Sequence, residues 1–478
     1  MVTDEMSTRR PARRVYIFLV ISSFLFVLLA VVARNASGLY ATRSVAPSWM
    51  GPDLDTQLIH AGLLRAPHLS DTVRWWTGPW VMGNFAPFYR PLTSELFWLE
   101  WKAFGDREYL YVLPTLLAHI AATALFSILV YRLATLYRLP LPVPAAFFAG
   151  WCFAGMPGPI LNRDGVASVV ALVWKNQPDS MAALCCFVAL LFYLLAQAGK
   201  ESSLIGAVIA YLAACAFKEI AIPLPMVFAA LECWPPKGVS RAQTKVRLGA
   251  IAMAAGFFLV IRYCAISGPG YTYGTNHEWL RRTLQEMLGP FYGLAGGEWL
   301  SASLAIWVCV VLWGYGHACR GNSRAPRQAQ PADVEWSRWL PKLTCGLIMI
   351  GGMCVLGFAA LPASDRSEWR APLSPLGLAT GLLMSLQPVV LQSEIAALAL
   401  IASVYLLVRH NAGLLLLGFV WLVAFLAPLV VSGGPVHRYY LPQAGYILVY
   451  SFAAGLALDR CMRRYSLGQA RPRPTRDA

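Results

Sequence analysis

The chain has 478 residues, of which 58% are hydrophobic and only 13% charged, with a mean hydropathy of +0.54 and a formal net charge of +15. Apolar runs near the ~20 residues that cross a bilayer recur along its length, which excludes the soluble enzyme classes. The ~10-residue alternating segments of an outer-membrane barrel are not found, so the fold class expected is an all-α polytopic membrane protein.

A basic N-terminus, residues 1–14, carries Arg9, Arg10, Arg13 and Arg14 and precedes a first crossing near Val15 to Ala33. The apolar core of that crossing is longer than a signal-peptide h-region, so it reads as a retained signal anchor. Further crossings are expected near Tyr109 to Tyr131, Pro142 to Gly155, Asp179 to Gln197, Leu204 to Phe217 and Ile220 to Cys233. Others follow near Leu248 to Cys264, Ser301 to His317, Leu343 to Leu361, Val390 to Val408, Leu414 to Val431 and Leu441 to Leu458. The sum is about 12 helices within a membrane domain spanning 15–458, followed by a basic tail, 459–478. Ala371 to Pro388 is apolar enough to cross, yet counting it would place the basic tail outside, so it is expected to be re-entrant or interfacial.

With both termini cytoplasmic, the inner segments hold about 23 of the 39 Lys and Arg against about 8 acids, which accounts for the whole net charge. Positive-inside bias therefore explains the basic balance without a nucleic-acid partner. The 11 cysteines lie mostly in spans or on the inner side, with neither zinc spacing nor a disulfide framework. The three outer loops expected are 34–108, 156–178 and 265–300.

The first outer loop, from Gly51 to Gly105, is too polar to cross and too aromatic to be a plain linker. It is expected to lie on the membrane. It opens with Asp53-Leu54-Asp55 ahead of an apolar run. One reading makes Asp55, or Asp53, the cap of a short helix. The other makes one carboxylate a general base, which must approach within ~3 Å of the proton it removes. Trp75, Trp76 and Trp80 suit the lipid–water interface, and Pro91 holds Arg90 in an extended or turn conformation, where a guanidinium can meet a lipid phosphate. Leu92, Leu96, Phe97, Leu99, Trp101 and Phe104 suit a helix lying on the membrane, with Glu95 and Glu100 on its wet face.

Later segments supply more candidates. Pro178 and Asp179 read as a dipole-matched helix start. Lys218 and Glu219 interrupt the run from Leu204 to Cys233 at an outer turn, where a Lys can reach head groups and a Glu can orient it. The loop from Gly268 to Trp299, with Tyr271, Tyr273 and Trp279, fits either an aromatic ligand-binding surface or an interfacial helix. His119 and His277 are expected to be packing or surface residues.

The series Tyr89-Arg90-Pro91-Leu92-Thr93, Phe104-Gly105 and Leu116-Leu117-Ala118-His119 resembles the GT-C superfamily of membrane glycosyltransferases. It looks most like the bacterial relatives of the transmembrane tetratricopeptide-repeat O-mannosyltransferases, without the repeats. Trp174-Lys175-Asn176-Gln177-Pro178-Asp179 resembles the family's second outer loop, with Gln177 in place of an Arg. That departure passes any phosphate contact there to Arg163 or Lys175. Lys218-Glu219 with Pro223, Arg262-Tyr263, and His437-Arg438-Tyr439-Tyr440-Leu441-Pro442 complete the series, with His437 in place of an acid.

The resemblance implies a GT-C-like bundle and transfer of a sugar from a polyprenyl-phosphate donor to an acceptor hydroxyl on the outer face, with inversion. It implies Asp53 or Asp55 as base, Arg90, Lys218 and Arg438 as phosphate contacts, and Tyr89, Asp179, Glu219, His437 and Tyr439 in support. A divalent metal joining Asp53 or Asp55 to Asp179 is compatible, but the ligand set is too thin to assign one. The expected partners are the lipid-linked sugar, membrane lipids and a hydroxyl acceptor. High Arg and Ala usage inclines the location toward a bacterial cytoplasmic membrane. A transporter or flippase remains an alternative reading, although no internal repeat is seen. So does a non-catalytic assembly factor on the same fold.

Overall fold

The computed structural model describes residues 14–28, 54–83, 88–105, 107–154, 159–161, 167–169, 177–233, 243–266, 403–432 and 440–469. These are mostly helical. In chain order they form α1 (Arg14–Leu28), α2 (Leu54–Leu64), α3 (Arg74–Thr77), α4 (Pro91–Phe104), α5 (Val112–Leu136), α6 (Pro142–Ala154), α7 (Gln177–Gln197), α8 (Ser203–Phe217), α9 (Leu224–Cys233), α10 (Thr244–Ile266), α11 (403–410), α12 (Ala412–Ser432) and α13 (Tyr440–Gln469). A two-stranded antiparallel hairpin pairs β1 (Pro159–Leu161) with β2 (Ala167–Val169). Among the described residues, three stretches are helical, long and apolar enough to cross a membrane: Leu113–Leu136, Gln177–Gln197 and Thr244–Ile266.

The bundle is assembled through small residues that let backbones approach, as is usual between membrane helices. At the α1, α5 and α6 contact, Ser23 and Ser127 meet hydroxyl to hydroxyl at 3.4 Å, and a Cβ on Gly150 would lie 2.2 Å from the Ser127 hydroxyl. Between α12 and α13, a Cβ on Gly445 would lie 2.9 Å from the Gly418 carbonyl. Around these contacts, Phe126, Phe153, Phe187 and Trp421 form a buried aromatic chain with neighbouring centroids 4.9 to 6.0 Å apart. The Trp421 indole N–H donates to the Leu441 carbonyl at 2.9 Å, so this large ring is buried without an orphaned donor. His119 is buried, shares a 3.1 Å hydrogen bond with the Ala154 carbonyl and stacks on Phe153, in keeping with a packing role.

Residues 54–111 build a second, smaller core from Ile59, Leu63, Ala66, Trp75, Trp80, Val81, Phe97, Trp98 and Tyr111. Here the structure corrects the interfacial reading of the tryptophans. Trp75 and Trp80 are buried in this module, and only Trp76 is substantially exposed. The Trp98 indole N–H donates to the Ala66 carbonyl at 2.7 Å, tying α4 to the end of α2.

The α4 face is likewise turned from the one expected. Thr93, Ser94, Phe97, Trp98 and Glu100 are buried while Leu99 is exposed, because the helix is held between the module core and the bundle. Gly105 closes α4 at φ 54°, a left-handed conformation that glycine adopts without strain, which gives the Phe104-Gly105 pair a structural reason.

The run from Leu204 to Cys233 breaks at Lys218-Glu219, as the charges predicted. Lys218 is extended, with φ −157° and ψ 130°, and a 3-10 turn over Glu219–Ala221 leads into α9. At ten residues α9 rises only about 15 Å, about half a bilayer core. The expected crossings from 301 to 361, the segment 371–388, the loop 268–299 and His277 lie outside the described residues.

Candidate functional site

Four elements end at one edge of the bundle: α4 and α7 begin there, and α8 and α10 finish there. Their termini carry the polar residues that the sequence singled out. Pro91 occupies the first turn of α4, where its missing N–H costs nothing, and so leaves Arg90 at the N-cap with φ −136° and ψ 62°. The Thr93 hydroxyl in that first turn donates to the Phe217 carbonyl at 2.5 Å, clamping α4 onto the end of α8. This brings Arg90 beside Glu219.

Glu219 is the hub. Its Oε1 accepts from the Arg262 Nε at 2.8 Å and from the Tyr89 backbone N–H at 3.1 Å, and its Oε2 lies 3.8 Å from the Arg90 Nε. The Arg90 guanidinium also packs over Phe88 and Trp80, 4.0 and 4.9 Å from the ring centroids. Such cation–π contact holds the fork without consuming its N–H donors. Burial raises the Tyr89 phenol above the ordinary tyrosine range, so it remains a donor, and it bonds the Trp76 carbonyl at 3.1 Å.

Lys218 turns the other way. Its extended backbone delivers the ammonium to the Asp179 carboxylate in the first turn of α7, and both side chains are at most 10% exposed. The expectation that Glu219 orients Lys218 is thus corrected: adjacent residues on an extended turn point apart, and Glu219 serves the two arginines. Asp179 keeps its dipole-matched place in the first turn and gains a cation.

Two further corrections concern polar residues near this edge. Glu100, expected on a wet face, is buried and accepts a 2.6 Å hydrogen bond from the amide of fully buried Gln177. Gln177 therefore links the start of α7 to α4. The helix α2 begins at Leu54, which places Asp55 inside the helix rather than at its cap. Asp53, Arg163, Lys175, His437, Arg438 and Tyr439 lie outside the described residues.

The structure thus brings together Tyr89, Arg90, Asp179, Lys218 and Glu219 of the candidate set. It adds Arg262, which the sequence marked as part of a motif but not as a member of the site. The signal was there in its position at the end of an apolar helix, on the edge where Glu219 was expected.

The Asp179 carboxylate is met by an ammonium, and among the described residues no group of three or more His, Cys, Asp or Glu side chains is placed to hold an ion. Asp53 and the Asp55 side chain, the other ligands considered, lie outside what the structure describes.

Chemically, the cluster presents cations from three separate elements, each positioned by a carboxylate, in a largely water-excluded setting. Such an arrangement suits an anion that must be held in one place. Comparisons with protein-family models, with curated proteins and with solved structures found no match for the chain.

Proposed function

We propose that the chain is a GT-C-type membrane glycosyltransferase of about 12 spans, with both termini cytoplasmic, that uses a polyprenyl-phosphate sugar at the outer face of a bacterial cytoplasmic membrane. The observation that carries this reading is the meeting of Arg90, Lys218 and Arg262 with Glu219 and Asp179 at one edge of an apolar helical bundle. In it, an acceptor hydroxyl attacks the anomeric carbon of the donor, and Asp53 or Asp55 takes the hydroxyl proton. The bond from the anomeric carbon to the phosphate oxygen breaks, the electron pair leaves with the polyprenyl phosphate, and the configuration inverts. Fixed guanidinium groups stabilise the charge that develops on the departing phosphate.

The test is release of polyprenyl phosphate from a panel of lipid-linked sugars by the purified protein, beside Asp53→Ala, Asp55→Ala and Arg90→Ala. The reading expects release to fall about 10²-fold to 10³-fold in Arg90→Ala and to be lost in one Asp variant that remains folded. No release from any donor, or release indifferent to all three changes, overturns it. One observation favours a second reading, a non-catalytic assembly factor. The carboxylates of Glu100, Asp179 and Glu219, the ones the structure describes at this edge, are all engaged by other side chains and so are not poised as a base.

A further inference from the structure

We infer that the seam between α1 and α5, at the edge opposite the candidate site, binds one anionic phospholipid, with its headgroup phosphate at Arg132, flanked by Arg14 and Arg138, and an acyl chain along the two helices. The lipid site stands apart from the proposed transfer reaction, and its leaflet, the cytoplasmic one, follows from the orientation proposed for the chain.

The two helices run antiparallel, since Ser23 meets Ser127 and Tyr16 meets Tyr131 with ring centroids 5.8 Å apart. That register sets Arg14 level with the last turn of α5. The Arg132 guanidinium lies 5.2 Å from the Tyr16 ring centroid, so it is drawn across the seam and held there by its face. Arg14, Arg132 and Arg138 are all exposed. The ion pairs among the described residues use Arg90, Lys218, Arg247 and Arg262, and none of them neutralises these three.

Arg138 adds an independent sign. Among the described residues it is the one non-glycine with positive φ, at 57°, and it takes the place just past α5 where glycine is usual. The turn is closed by the Arg138 and Leu139 backbone N–H groups, which donate to the Thr135 and Ala134 carbonyls at 3.1 and 2.8 Å. An arginine retained there despite the strain has a use for its charge. Inward bias of basic residues asks for charge on that side, but not for arginine at a glycine position.

The seam above the cations is apolar on both helices. On α5, Leu125, Ile128 and Arg132 fall within about 60° of one another, and on α1 so do Ile17, Val20 and Phe24, on the flank next to Tyr16. Those three α1 residues are 50, 44 and 48% exposed, so the cations stand at the foot of an open apolar strip. A small anion would meet only the arginines, whereas a phospholipid fills the strip and neutralises the cluster together.

The test transfers the full chain from nanodiscs of phosphatidylcholine and phosphatidylglycerol into detergent and counts the retained lipid by native mass spectrometry, for the parent, Arg132→Gln, Arg132→Lys, Arg138→Gly and Arg409→Gln. Arg409 is the control, a guanidinium stacked 4.9 Å from the Tyr405 ring centroid on another helix. The parent is expected to retain phosphatidylglycerol in preference to phosphatidylcholine, Arg132→Gln about 5-fold less of it, and Arg132→Lys an intermediate amount. Arg138→Gly relieves the left-handed strain, so its thermal midpoint in phosphatidylcholine rises while its retention of phosphatidylglycerol falls. Retention at the parental level in both Arg132→Gln and Arg138→Gly overturns the lipid site. So does an equal loss in Arg409→Gln, which would assign the lipid to general surface charge, or equal retention of the two lipids by the parent.

Discussion

Lys218 and Asp179 form an ion pair between the end of α8 and the first turn of α7, with side-chain exposures of 10% and 7%. Breaking such a pair leaves one buried charge without its counterpart, which costs about 3–5 kcal/mol, whereas replacing both partners with apolar residues of similar volume is near neutral. Lys218→Met and Asp179→Leu singly are therefore expected to lower the thermal unfolding midpoint sharply, and the double variant to recover most of it. If Lys218 also contacts the donor, the double variant regains stability but not polyprenyl phosphate release. Recovery of both would make the pair purely architectural.

Gln177 opens α7 fully buried, and its amide is committed to Glu100 at 2.6 Å. Gln177→Ala removes the donor and leaves a buried carboxylate short of a partner, which costs about 1–3 kcal/mol. Glu100→Gln retains the volume and loses a charge that needs neutralising, so it is expected to be better tolerated. Thermal unfolding of both variants in the same lipid checks the order.

At the opposite edge, Glu232 receives both the Nε and Nη2 groups of Arg247, at 2.6 and 2.9 Å, together with the Tyr193 hydroxyl at 2.8 Å and the Thr244 hydroxyl at 2.7 Å. The network joins α7, α9 and α10. Glu232→Ala leaves Arg247 buried, with its carboxylate removed, and is expected to cost about 3–5 kcal/mol. Because the site lies at the far edge, the folded fraction should keep the donor KM of the parent. A changed KM would show that the two edges are coupled.

The α12 and α13 contact is tight enough to report on a single methyl group. Gly445→Ala places a Cβ 2.9 Å from the Gly418 carbonyl and 3.0 Å from the Leu422 backbone nitrogen, so the helices must separate. Overpacking of this kind costs about 1–3 kcal/mol. A cysteine pair introduced across the contact should cross-link less readily once Ala is present, and equal cross-linking would contradict the close approach.

Much of the helical pattern was legible because apolar length is a direct signal. Leu204 to Phe217, the break at Lys218-Glu219 and the helix from near Leu248 follow from hydropathy and charge alone. Side-chain direction was harder. From sequence, Trp75, Trp80 and Glu100 read as facing water or the interface of a segment lying flat, whereas a module with its own core gives both sides of α4 something to pack against. The pairing of Glu219 with two arginines rather than with Lys218 depends on an extended backbone at one residue, and composition carries no trace of that. Arg262 carries no local signal of its role, since its partner is 43 residues earlier in the chain.

One helix carries an arginine clamp at each end. Arg247 and Arg262 are fifteen positions apart on α10, a rise of about 22 Å, and their directions differ by only about 60° after four full turns. The stretch between them thus acts as a ruler whose length and phase are both fixed. Substitutions on its outward side, at Met253, Phe257 or Val260, leave the ruler intact, while one inserted residue turns one arginine by about 100° and withdraws it from its glutamate. In α10, then, the number of residues is a stricter requirement than their identity.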